Sequence, residues 1–173
     1  MPGSGKSTIV SALKTRGFEA LNLGDGVRAE AKRRNLEPTG DNLGKLMLEL
    51  REKNGSGAIA DLLTEPIKNS KSKVIIIDGV RSIAEIEVLK NVGTVKLLSI
   101  EAAADTRYKF LSSRGRSDDP ATREKFEERD NRELGVGIGE SIAIADETIS
   151  NSDITLDELT ELAYKVIEKW IDT

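Results

Sequence analysis

Met1-Pro2-Gly3-Ser4-Gly5-Lys6-Ser7-Thr8 brings two glycines, a lysine and three hydroxyl side chains together at the start of the chain. This is the order of a phosphate-binding loop that lacks its first glycine. Gly3 and Gly5 let the backbone turn its N–H groups inward around phosphate oxygens, and Lys6 reaches the β- and γ-phosphates. Ser7 can ligate Mg²⁺, and a helix starting here adds its positive N-terminal end. Gly3, Ser4, Gly5, Lys6, Ser7 and Thr8 are therefore the expected nucleotide-binding residues. Such a loop predicts a carboxylate at the end of another parallel strand to organise the magnesium ion. Asp78, directly after Val74-Ile75-Ile76-Ile77, is placed for it, although Asp78-Gly79 also reads as a plain turn.

The residues that are missing narrow the chemistry further. With no His and no Cys, a Ser-His-Asp triad, a cysteine nucleophile, the usual zinc sites and a disulfide framework are excluded. Lys and Arg number 26 against 30 Asp and Glu, and the net charge of −4 argues against a general nucleic-acid binder. Tyr108, Tyr164, Trp170, Phe18, Phe110 and Phe126 are scattered and give no platform for stacking bases. The longest aliphatic run, 74–77, is too short to span a bilayer. The start has no positive-then-apolar pattern, so an intracellular, cytoplasmic protein is expected. Absence of Gln beside many Lys and Glu suggests a thermophile.

The elements that must position these residues alternate between strand and helix. A helix is predicted from Lys6 to Arg16, ended by Gly17, then a strand from Phe18 to Leu23. Two or three helical stretches follow from Val27 to Asn69, and Lys73 to Ile77 reads as a buried parallel strand. Ser82 is the predicted N-cap of a helix Ile83 to Asn91, with Glu85 completing a capping box. Thr94 to Ile100 reads as a strand, Asp105 to Ser113 as a helix, and Pro120 as the start of another. A helix near Glu140 to Ala145, a strand Thr148 to Ser150 and a helix Thr155 to Ile171 close the chain; in the last, Leu156, Leu159, Leu162, Ala163, Val166 and Trp170 share one face. The pattern predicts a single α/β domain over 1–173 with a three-layer α/β/α arrangement and a mostly parallel sheet. Gly135-Val136-Gly137-Ile138-Gly139 follows a charged helix, so it reads as a flexible joint and not as a dinucleotide loop.

Six of the twelve arginines fall between Arg107 and Arg132, a candidate clamp for an anion. Here the chain resembles the P-loop nucleoside monophosphate kinases. Leu23-Gly24-Asp25-Gly26-Val27-Arg28 is similar to their Gly-Asp-x-x-Arg segment, Asp78-Gly79-Val80-Arg81 to their Asp-Gly-x-(Pro)-Arg segment, and Arg114-Gly115-Arg116-Ser117-Asp118-Asp119 to their lid. Ala145 to Asn151 resembles the stretch leading to their last strand. The likeness is nearest to the archaeal adenylate-kinase-related group, with dephospho-coenzyme A kinase a more distant relative. It implies that Gly24, Asp25, Arg28 and Arg81 bind the acceptor. It also implies that 29–69 is a helical acceptor-binding insertion, 112–135 a short lid, and Arg114, Arg116, Arg129 and Arg132 the groups that close over the donor phosphates of ATP. Lys6, Arg81, Arg114 and Arg116 would carry catalysis, with Ser7 and Asp78 at the metal. Guanidinium forks suit phosphate oxygens.

Asp25 reads either as a helix N-cap or, for an alcohol acceptor, as the base that takes its proton. Asp118 and Asp119 read as partners of the lid arginines and caps ahead of Pro120. A phosphate acceptor is already ionised, so its transfer chemistry needs positioning and charge neutralisation and no base, which matches the lack of His. The expected activity is transfer from Mg-ATP to a nucleoside monophosphate, AMP first. The alternatives are a hydroxyl kinase resembling dephospho-coenzyme A kinase and a nucleotide-binding regulator or weak ATPase. The aliphatic strand that precedes such a loop is not in the sequence, so the polypeptide is expected to begin upstream of Met1.

Overall fold

The computed structural model describes residues 1–115 and 119–172. The first helix, α1 (Lys6–Thr15), starts at Gly5 and stops where Gly17 takes φ +93. That turn lets the Gly17 and Phe18 N–H groups donate to the carbonyls of Lys14 and Leu13, which closes the helix end. Strand β1 (Glu19–Asn22) pairs in parallel with β2 (Ile75–Asp78), in register from Glu19 opposite Ile75 to Asn22 opposite Asp78. The ends of both strands, Asn22 and Asp78, therefore meet on the side where the phosphate-loop motif lies.

Between them run α2 (Leu23–Arg33), α3 (Gly40–Asn54) and α4 (Ala58–Asn69), where two or three helical stretches were expected between Val27 and Asn69. The start of α2 differs from expectation. Asn22 caps it by accepting the Gly24 N–H, so Asp25 lies inside the first turn and is not the cap. Next come α5 (Ile83–Lys90), β3 (Leu98–Glu101), α6 (Ala104–Arg114), α7 (Arg123–Val136), α8 (Ile138–Ala143), β4 (Glu147–Ser150) and α9 (Leu156–Ile171). Pro120 does not start α7; Thr122 caps it, three residues before the Lys125 N–H it accepts. Gly137, at φ +107, is the shared turn between α7 and α8.

The fold is α/β with parallel strands, but the expected single sheet is two parallel pairs. β3 pairs with β4, Leu98 opposite Glu147, while β2 and β3 share no ladder. Side-chain packing holds the pairs together: Ile76 and Leu98 both pack into the core that Ile9 and Leu13 of α1 form with Ile100, Ile149, Leu159, Ala163 and Ile167. A second core joins α2, α3, α4 and α5 through Leu23, Val27, Leu46, Leu50, Ile59, Leu63 and Leu89. The buried stripe of α9 is Leu159, Ala163 and Ile167, whereas Leu156 and Leu162, expected on it, are exposed. Among the described residues no helix is long and apolar enough to cross a membrane.

Candidate active site

The loop ahead of α1 is shaped by two glycines in the left-handed region, Gly3 at φ +80 and Gly5 at φ +101. A Cβ at Gly3 would sit 2.8 Å from the Arg107 carbonyl, and one at Gly5 would sit 2.7 Å from Asn151 Nδ2, so both positions require glycine for space as well as for φ. The close neighbours explain the loop's shape. Arg107 NH1 donates to the Pro2 carbonyl (3.1 Å) and Asn151 Nδ2 donates to the Ser4 carbonyl (3.0 Å). With these carbonyls fastened outward, the N–H groups of the loop are turned the other way. Arg107 is itself braced by both Asp130 oxygens and lies 4.9 Å over the Phe126 ring. No side chain caps the N-terminus of α1, which leaves its first N–H groups for an anion.

Lys6 folds back on the loop, donating to the Met1 carbonyl (2.6 Å) and to Ser4 Oγ (3.2 Å). Burial pulls its ammonium pKa below the usual lysine range, and the nearby Asp78 carboxylate opposes that shift. A desolvated ammonium is a strong electrostatic partner for an entering phosphate. Asp78 accepts from Asn22 Nδ2 at 3.1 Å, so β1 orients the carboxylate that ends β2. Ser7 and Asp78 both line the cleft in front of the loop. No group of three or more acidic side chains placed to hold a metal ion occurs among the described residues. A hydroxyl and one carboxylate fit Mg²⁺, a hard cation that takes its remaining ligands from phosphate and water.

The cleft has a volume of about 630 Å³. Lys6, Arg28, Arg51, Arg81, Arg114 and Arg129 line it against three carboxylates, Asp78, Glu85 and Glu133. Six cations facing three anions give the cavity a surplus of three positive charges in a chain whose net charge is −4. Arg114 pairs with Asp119, donating from Nε at 3.1 Å, and Arg129 lies 3.9 Å from the same carboxylate. Arg81 follows β2, and its Nε stands 3.0 Å from Glu133 Oε2, a buried carboxylate atom that accepts no hydrogen bond among the described residues.

The structure thus brings Gly3, Ser4, Gly5, Lys6, Ser7, Thr8, Gly24, Arg28, Asp78, Arg81, Arg114 and Arg129 of the anticipated residues to one cavity. Two of the others lie elsewhere. Asp25 is outside the cleft lining, its side chain 68 % exposed and paired with Arg28. Arg132 is exposed and does not line the cleft, because its place on α7 is turned roughly 100° away from the face that buries Phe126 and Glu133. Arg116 and Asp118 lie outside the described residues.

Several lining or supporting residues were not anticipated. Glu85 was expected to return to the Ser82 N–H in a capping box; Ser82 does accept the Glu85 N–H, but the Glu85 carboxylate accepts from the Arg81 N–H (2.7 Å) and from Arg51 NH2 (2.9 Å). Phe110 and Leu156, both partly exposed, line the cleft near the loop. Glu133 carried a readable signal: it recurs seven residues after Phe126, on the same helical face. Arg51 carried none, since an isolated arginine has no spacing to betray it; Asn151 ends the Ala145 to Asn151 segment that carries the resemblance, with no role attached to it there.

A family model for an AAA domain matches residues 1–127. The chain is 38% identical to a UPF0200 protein of Hyperthermus butylicus, over 98% of this chain and 90% of that protein. It is 43% identical to a UPF0200 protein of Methanothrix thermoacetophila, over 98% and 93% of the two chains. Among solved structures, TT1252 from Thermus thermophilus superposes with a TM-score of 0.67 at 19% identity, covering 96% of this chain and 93% of that one. A shikimate kinase from Bacteroides thetaiotaomicron does so at 0.65 and 14%, with the same two coverages.

Proposed function

The chain belongs to the AAA-domain family and to the UPF0200 proteins, and from that premise we propose that it is a cytoplasmic phosphotransferase that moves the γ-phosphate of Mg-ATP to a nucleoside monophosphate. AMP, the acceptor of the adenylate-kinase-related group it resembles, is the first to assay. The observation that carries the reading is the meeting of two cationic sets in one cleft: Lys6, Arg114 and Arg129 beside the glycine loop, and Arg28 and Arg81 beyond the strand ends. A protein that only bound or hydrolysed ATP has no use for the second set.

In this reading the loop N–H groups and Lys6 hold the donor phosphates, and Ser7 and Asp78 would hold Mg²⁺, which screens phosphate charge and polarises the bond that breaks. Arg114, Arg129 and Arg116 close from the 112–135 segment as a lid that excludes water. Arg28 and Arg81 orient the acceptor phosphate for attack at the γ-phosphorus. Arg81 exchanges Glu133 for that phosphate as the acceptor enters. The position of Asp25 outside the cleft weighs against a hydroxyl acceptor, because it removes the one carboxylate proposed to take the hydroxyl proton.

Product analysis tests the proposal: the protein is incubated with Mg-ATP and, separately, AMP, CMP, UMP, GMP and dephospho-coenzyme A, with Lys6→Ala as the blank. One nucleoside diphosphate forms rapidly and is lost in the blank. Slow release of ADP and free phosphate, indifferent to acceptor, would refute the kinase reading in favour of a regulator or weak ATPase.

A further inference from the structure

The acceptor end of the cleft is unusual in which polar groups it leaves unused. Glu85, only 1% exposed, commits Oε1 to Arg51 NH2 (2.9 Å) and Oε2 to the Arg81 backbone N–H (2.7 Å). Asn22 commits Oδ1 to the Gly24 N–H (2.7 Å) and Nδ2 to Asp78. The Glu85 carboxylate and the Asn22 amide are therefore engaged, and Glu133 Oε2 is held by the charge of Arg81. Arg51 is the reverse case. Its NH2 is held by Glu85 and its Nε is enclosed without an acceptor, while NH1 makes no hydrogen bond among the described residues and is the nitrogen that a ligand in the cleft can reach. Val27, Met47, Ile59 and Val80 line the same cleft.

A guanidinium donates and never accepts. Its free donor is satisfied by a ring that presents a keto oxygen, as an arginine reads O6 and N7 of guanine. An amino group at the same place sets N–H against N–H and leaves both unpaired, and a site built on such donors rejects that analogue strongly. We propose that Arg51 is a specificity-determining residue, held in place by Glu85, and that it selects nucleoside monophosphates whose base presents a keto oxygen over those that present an amino group. The inference rests on the reading of this end of the cleft as a nucleoside monophosphate site; it adds the class of base and puts keto-base monophosphates ahead of AMP as acceptor.

IMP and AMP differ at that one group, so their binding decides the matter. With the donor site filled by the β,γ-imido analogue of ATP and Mg²⁺, titration calorimetry measures Kd for each on the unmodified protein. IMP binds at least about tenfold more tightly than AMP. Arg51→Gln, whose amide both donates and accepts, brings the ratio to within about threefold of one, whereas Arg51→Lys, still a pure donor, keeps IMP ahead. Equal binding of the two, tighter AMP, no binding of either, or an unchanged ratio in Arg51→Gln overturns the inference. The ratio in the unmodified protein is decisive even where a variant fails to fold. IMP preference without phosphoryl transfer would sink the kinase reading and leave this one standing, and transfer to AMP with no preference would do the opposite.

Discussion

Two aspartates that look equally available in the sequence are separated by their surroundings. Asp78 ends a strand, is oriented by Asn22 and shares the cleft with Lys6, whereas Asp25 points outside it and pairs with Arg28. Asp78→Asn is expected to lower the rate with saturating Mg-ATP by about 100-fold and to raise the magnesium requirement, because a charged ligand is lost where phosphate charge must be neutralised. Asp25→Asn is expected to change kcat with a nucleoside monophosphate by less than about threefold, since it removes an exposed ion pair. Steady-state assays across magnesium concentrations check both, and a large loss in Asp25→Asn would restore a catalytic role to that residue.

At the scale of elements, the loop works because its neighbours hold it. Asn151, just past the end of β4, fixes the Ser4 carbonyl. Asn151→Ala leaves that buried carbonyl unpaired, a cost of about 1–3 kcal/mol that falls partly on folding and partly on the loop's readiness for phosphate. ATP affinity is expected to fall about tenfold, with kcat at saturation changing much less, as read by calorimetry and initial rates. The join between α2 and α3 makes a different prediction. Arg33 and Arg34 hydrogen-bond Glu30 and hold its carboxyl at about 2. A depressed carboxyl pKa stabilises the fold fully above the ordinary glutamate range and loses that contribution as pH falls toward 2. Glu30→Gln should therefore cost about 1 kcal/mol at pH 7, and the gap from the parent should close between about pH 5 and pH 2 in urea melts.

Across the whole molecule the charge is segregated, with a cationic cleft inside an acidic chain. Such a field concentrates anionic ligands and is screened by salt. A tenfold rise in ionic strength should raise KM for ATP and for the acceptor by about threefold or more, with a smaller change in kcat. Closure of the proposed lid is also a property of the whole cleft, since Arg114 and Arg129 approach it from α6 and α7 while Lys6 waits on α1. Hydrogen exchange across α6 and α7 should slow when ATP analogue and acceptor bind together, and equal exchange would count against a lid.

Short-range chemistry was legible in the chain itself. Gly3, Gly5, Lys6 and Ser7 declare a phosphate loop because φ, donor supply and helix polarity are properties of adjacent residues. The alternation of β-branched runs with 3.6-residue patterns likewise declared α/β with parallel strands. The absence of His and Cys restricted the chemistry before any folding was considered. What the tertiary structure decided is everything that depends on distance through space. It put Asp25 and Arg132 outside the cleft, because a step of one or two residues along a helix is enough to turn a side chain away from it. It divided the strands into two parallel pairs packed on α1, since pairing depends on which edges meet and not on strand propensity. It also turned Glu85 from a helix cap into the anchor of Arg51, a partner 34 residues away, because a carboxylate buried by packing takes the nearest donors that packing brings to it.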